Sequence, residues 1–129
     1  MHYGVHTQAK LGKFNGGAIH NYKGNLSIIE SALTENKANQ GGAIHNYRAK
    51  LNIERTALNK NASLYYGGAI FNDGNILIIE ESELGENVAS IGGAIYNNVG
   101  EISISKSKLK GNVANIGGAI HNWNKLSVN

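Results

Sequence analysis

Two histidines and two tyrosines recur in step: His20 and His45 lie 25 residues apart, and so do Tyr22 and Tyr47. The same phase continues through Phe71, Tyr96 and His121 behind the histidines, and through Asp73, Asn98 and Trp123 behind the tyrosines. Paired imidazoles can bind zinc or nickel weakly. Exposed aromatic rings beside amides suit stacking on sugars or contact with a protein surface. Acid–base chemistry is poorly served. Glycosidases need a carboxylate pair at a set separation, and calcium sites need clustered acids. The chain has a single aspartate, Asp73. Glu54 and Glu80 share a phase, with Glu83 nearby, and form the one candidate acidic patch. Glu80 and Glu81 are neighbours on a strand, so they are expected to point to opposite faces as solvated residues. There is no cysteine, hence no disulfide and no thiolate metal site. The expectation is a chain without catalysis, cofactor or dedicated metal site.

The elements that position these residues follow from an internal repeat. Gly-Gly-Ala-Ile occurs five times, beginning at Gly16, Gly41, Gly67, Gly92 and Gly117. With the first Gly as position 1, position 4 is always Ile and position 6 always Asn (Asn21, Asn46, Asn72, Asn97, Asn122). Positions 11 and 13 are Leu or Ile, position 16 is Ser or Thr, position 18 is Leu, and position 21 is Asn (Asn36, Asn61, Asn87, Asn112). Apolar residues that step by two indicate strands. Asn and Gly between them tolerate the left-handed backbone of tight turns. Short strands and turns recurring every 25 residues describe the coils of a β-solenoid, stacked about 4.8 Å apart. The predicted fold is all-β, a right-handed parallel β-helix of about four and a half coils of 25 residues. Residues 1–15 form a partial coil or cap, with Leu11 and Phe14 covering the core, and 16–129 form the repeats (16–40, 41–66, 67–91, 92–116 and an incomplete 117–129). One extra residue falls near Ser63–Tyr66, and the last unit is one residue short in its first turn.

Stacking turns positions into columns. The Asn columns are expected to form amide ladders between coils, and the Gly columns to admit backbone where a Cβ would clash. Position 15 reads Glu30, Arg55, Glu81, Lys106, and position 20 reads Glu35, Lys60, Glu86, Gly111. This alternation of sign suits parallel neighbours, because stacked like charges repel. Positions 5 and 7 are expected to point outward as two columns. His20, Tyr22, His45, Tyr47, Phe71, Tyr96, His121 and Trp123 are therefore the candidate ligand-binding residues. The competing reading is an aromatic ladder that stiffens the stack and shields strand edges.

The net charge is +3, and its cations are scattered, which argues against a nucleic-acid partner. The longest aliphatic run, Ile76 to Ile79, is far too short for a membrane span. The N-terminal residues lack the pattern of a signal peptide. The incomplete last coil would leave an open strand edge, which suggests either a piece of a longer β-helix or end-to-end self-association.

Gly-Gly-Ala-Ile together with Leu33-Thr34-Glu35-Asn36, Leu58-Asn59-Lys60-Asn61, Leu84-Gly85-Glu86-Asn87 and Leu109-Lys110-Gly111-Asn112 resembles the repeat of the chlamydial polymorphic outer membrane proteins. That repeat pairs Gly-Gly-Ala-(Ile, Leu or Val) with Phe-x-x-Asn; here Leu replaces Phe throughout. The resemblance spans residues 16–129 and implies a surface-exposed, adhesin-like β-helix. It implies no catalytic residues. The expected location is the cell surface or the exterior, as part of a longer protein, with a host-surface protein or a glycan as partner. A fragment of a polysaccharide lyase or hydrolase and a self-assembling solenoid are the alternatives.

Overall fold

Each repeat lays down short strands that pair, in parallel and in register, with the same strands of the repeats before and after it. The computed structural model describes residues 6–8, 16–123 and 125–129; Leu11 and Phe14 lie outside them. The result is a parallel β-solenoid of about four turns, with no helix among the described residues. Three sheets wrap the core. The largest joins Ile19–Tyr22, Ile44–Tyr47, Ile70–Glu80, Ile95–Ser105 and Ile120–Asn122 with Asn25–Ile29, Lys50–Glu54 and Lys125–Val128. The second stacks His6–Gln8, Ala32–Thr34, Ala57–Asn59, Glu83–Gly85 and Lys108–Lys110. The third stacks Lys37–Gln40, Ala62–Tyr66, Val88–Ile91 and Val113–Ile116.

The core is a bundle of columns. Ile44, Ile70 and Ile95 stack at position 4, Leu51, Leu77 and Ile102 at position 11, Ile53, Ile79 and Ile104 at position 13, and Leu33, Leu58 and Leu84 at position 18, all buried. Like residues meet like at one strand spacing, so each coil packs on a copy of itself.

The corners are the harder problem. Residues at positions 15 and 20 have left-handed backbones, with φ between 47° and 59° at Glu30, Arg55, Glu81, Glu35, Lys60 and Glu86. Such a conformation costs a non-glycine residue about 1–2 kcal/mol. It turns the chain sharply, and it takes the next residue's N–H away from the backbone ladder. A side chain from the neighbouring coil captures that N–H. The Ser31 N–H donates to Thr56 Oγ1 at 3.2 Å, the Thr56 N–H to Ser82 Oγ at 3.1 Å, and the Ser82 N–H to Ser107 Oγ at 3.0 Å. The Asn36, Asn61 and Asn87 N–H groups donate to Asn61, Asn87 and Asn112 Oδ1 at 2.9–3.0 Å. The hydroxyls thus form a ladder of their own, a role the sequence reading left unassigned. The position-6 amides form a third: Asn21, Asn46, Asn72 and Asn97 each donate Nδ2–H to the Oδ1 of the next coil, at 2.7–2.9 Å.

At the Gly-Gly corner the second glycine has no room for a side chain. A Cβ on Gly42 would fall inside contact with the carbonyl oxygens of Gly68 and Ala62. The extra residue of the second coil is a bulge. Lys37, Ala38 and Gln40 pair with Ala62, Ser63 and Tyr66, so that Leu64 and Tyr65 stand exposed opposite Asn39. In the last unit, Asn122 to Lys125 spans three steps where Asn97 to Glu101 spans four. In the charge columns, Arg55 bonds Glu30 at 3.1 Å, whereas Lys60 makes no ion pair with Glu35 or Glu86. The expected opposition of Glu80 and Glu81 does not occur. The left-handed corner at Glu81 (φ 47°) breaks the strand alternation, and both side chains are exposed.

Asn61→Ala tests the corner mechanism. It strands the Asn36 N–H and removes the donors to Leu33 O and Asn87 Oδ1. Each orphaned buried group costs about 1–3 kcal/mol. Urea denaturation should show a loss of about 3–5 kcal/mol, while Val88→Ala on the surface of the third sheet should change stability by less than about 1 kcal/mol.

Candidate functional site

Positions 4 to 7 alternate about the first sheet. Ile at 4 and Asn at 6 face inward, and the residues at 5 and 7 face outward. Outward does not mean exposed for the whole of column 5. His45, Phe71 and Tyr96 are only 5, 6 and 9% accessible. They lie beside the side-chain-free Gly-Gly corner; a Cβ on Gly117 would run into His121. Tyr66, placed by the bulge, leans over the last two, with its ring 6.0 Å from Phe71 and 4.7 Å from Tyr96. The expectation of an open strip at position 5 is therefore corrected. His45, Phe71 and Tyr96 present no face to a ligand, because the glycine corner leaves a trough that their rings fill.

Column 5 is a continuous ladder. His20 to His45 is 4.7 Å between centroids, His45 to Phe71 is 5.0 Å, Phe71 to Tyr96 is 5.3 Å at 3° between planes, and Tyr96 to His121 is 5.2 Å. His20 at one end is exposed, and His121 at the other is half-buried.

Column 7 is the outer face. Tyr22 and Tyr47 stack 5.4 Å apart and within 1° of parallel. Tyr22 is 58% accessible. Lys23 sits 5.2 Å from the Tyr22 ring centre, and the Arg48 guanidinium 5.3 Å from that of Tyr47. Below Tyr47 the aromatic column breaks. Asp73 follows, accepting a 3.0 Å hydrogen bond from Asn98 Nδ2, and then Trp123, 68% accessible and edge-on to His121. His20, Tyr22, His45 and Tyr47 thus cluster at one end, with Trp123 set apart at the other. At the break, a groove of about 450 Å³ is bounded by Tyr47, Arg48, Asp73, Gly74, Asn75 and Val99. Arg48 and Asn75 were not marked by sequence, and Asp73 was placed in column 7 without being named a ligand-binding candidate. The available signal was the loss of both ring and cation where Tyr-Lys and Tyr-Arg give way to Asp-Gly.

The acidic patch is in register, with Glu54 paired to Glu80 across the sheet. Glu54 is bridged to Arg55, whose guanidinium also holds Glu30. Among the described residues no group of three or more His, Asp and Glu side chains is placed to hold a metal ion.

His45 is the buried imidazole of the site. Neither ring nitrogen has a hydrogen-bond partner. Burial, reinforced by His20 and weakly opposed by Asp73, lowers its pKa from 6.5 to about 4. The imidazole is neutral at pH 7 and serves as an aromatic rung.

Taken together, the coils, ladders and outer strip define a parallel β-solenoid with a three-ladder polar frame. Comparison with protein-family models, with curated proteins and with solved structures finds no match.

The depressed His45 pKa carries a sign. Between about pH 4 and 6.5 the unfolded chain binds a proton that the folded chain refuses, so unfolding gains from acid. Stability should be level above pH 6.5 and fall toward pH 4, by at most about 1.4 kcal/mol per pH unit. Thermal melts across that range should show the slope in the native chain. His45→Phe should flatten it while leaving the melting temperature at pH 7 unchanged or higher.

Proposed function

We propose that this chain is a structural, adhesin-like β-solenoid module of a cell-surface or secreted protein, without catalysis of its own. One observation carries the reading. The polar side chains that recur in every coil are consumed in bonds between coils. Residues that differ from coil to coil lie outside these ladders, and at positions 7 and 8 they include Tyr22-Lys23, Tyr47-Arg48, Asp73 and Asn98-Val99, all exposed or half-buried. A frame of that kind presents a varied strip on a rigid rod, which suits recognition of a host-surface protein or a glycan. The Gly-Gly-Ala-Ile and Leu-x-x-Asn resemblance supports the same reading. The acidic residues argue weakly for a polysaccharide-cleaving alternative, since Glu54 is engaged by Arg55.

Two measurements test it. Antibody labelling and fractionation of the native product should place it at the cell surface; a product confined to the cytosol would remove the adhesin reading. Binding of the purified chain to host cells or a glycan array should fall by more than about tenfold in Tyr22→Ala/Tyr47→Ala. The loss of one stacked pair should cost only about 0.5–1.5 kcal/mol of stability, checked by thermal melt. Release of new chain ends from acidic polysaccharides by the native chain would favour the enzyme alternative.

A further inference from the structure

The groove beneath Tyr47 lies where the outer aromatic column of the first sheet is interrupted. From Tyr22 to Tyr47 that column runs ring on ring. Here the aromatic column ends at Asp73, and the strand Ile70–Glu80 passes through Gly74 with no side chain, at a shift of register against the next coil. The groove's volume of about 450 Å³ lies within the roughly 300–1,000 Å³ typical of small-molecule sites. Its lining is chemically mixed. Tyr47 supplies an aromatic ring and Arg48 a guanidinium held 5.3 Å from that ring's centre. Asp73 supplies a carboxylate and Asn75 an amide.

The charged groups keep hydrogen-bonding capacity to spare, although Tyr47 stacks on Tyr22 and Arg48 lies over Tyr47. The Arg48 guanidinium makes no ion pair or hydrogen bond among the described residues, Asp73 included. Asp73 engages Asn98 through Oδ1 only. Arg55, by contrast, is tied to both Glu30 and Glu54. Arg48 is exposed at the edge of the groove, on a pinned backbone. Its backbone is left-handed, with φ 48° as at Lys23 (φ 55°), and its N–H is bonded to Asp73 O at 3.1 Å.

From this juxtaposition we propose that the groove is a subsite for one acidic sugar residue, a hexuronate. This deepens the recognition reading above and rests on it for biological meaning, though not for the binding itself. Arg48 takes the sugar carboxylate, as guanidinium forks match carboxylates in two parallel bonds. The exocyclic position of that carboxylate leaves the C–H face of the ring to pack on Tyr47. The Asp73 carboxylate and the Asn75 amide accept and donate to ring hydroxyls. A neutral hexose would leave Arg48 unpaired, and an acidic peptide would bring no hydroxyls for Asp73 and would set a second carboxylate against it. The combination of one cation, one anion and one ring selects a ligand that carries a carboxylate, several hydroxyls and an apolar face together.

The test titrates the ¹⁵N-labelled native chain with methyl β-glucuronide, methyl β-glucoside and a glutamate-rich peptide, read by amide shifts and calorimetry. The glucuronide should move the amides of residues 47–49, 73–75 and 99, and bind at least about tenfold more tightly than the glucoside. Arg48→Gln should bring the glucuronide down to the level of the glucoside, with an unchanged melting curve. Lys23→Gln, which removes an equal charge from the neighbouring coil, should leave the affinity within about twofold. The proposal is overturned by equal binding of the two sugars, by Lys23→Gln and Arg48→Gln acting alike, or by a peptide that displaces the glucuronide. If the glucuronide fails while the whole chain still binds cells through Tyr22 and Tyr47, the subsite falls and the recognition reading stands. If the glucuronide binds but the native product stays in the cytosol, the subsite stands and the adhesin reading falls.

Discussion

A solenoid must turn corners without losing the hydrogen bonds that hold one coil on the next, and the capture of corner N–H groups by side chains meets that constraint. Parallel strands satisfy their own backbone groups, but a left-handed residue diverts the N–H that follows it. At positions 16 and 21 the diverted group meets a hydroxyl or amide oxygen from the adjacent coil. The same amide donates onward, as Asn61 does to Asn87 and to Leu33 O. The conformational strain at Glu30, Glu35 and their equivalents is thereby tied to bonds that exist only when the coils are stacked. Buried polar networks of this kind are worth most when complete, which favours one stacking register over all slipped ones.

The apolar columns depend on that register. Ile over Ile and Leu over Leu pack tightly only if every coil has the same corner geometry. The Gly-Gly pair sets the third corner by admitting the backbone of the next coil where Gly42 would otherwise carry a Cβ. It also opens the trough that the column-5 rings occupy. The aromatic ladder is in this sense a second, outer core, and His45 belongs to it as a neutral ring rather than as a base or ligand.

The stacking constraint also decides where variety is permitted. Residues that bond or pack between coils must match their neighbours, so differences gather on the outward positions of turns. The break from Tyr47 to Asp73 is such a difference, and it interrupts the stacked column and leaves a concavity. A repeat protein gains a site where its repetition lapses.

Much of this was legible in the chain itself. Period-two Ile and Leu positions, with invariant Asn and Gly-Gly at a spacing of 25 or 26 residues, determine strands, columns, register, the place of the extra residue near Tyr66 and the amide ladders, because like residues must stack on like. Three matters were decided only by tertiary structure. Alternation says that position 5 leaves the core, yet it cannot say that His45, Phe71 and Tyr96 will be buried there, with Tyr66 against the last two. The same alternation misplaces Glu81, since a left-handed corner resets the direction of the next side chain. The groove joins residues 47–48 to 73–75 and 99 across three coils, and no local pattern announces a cavity whose walls come from separate turns. Sequence determines what a coil repeats; the bending of the chain at its corners determines which outward side chains meet water and which meet each other.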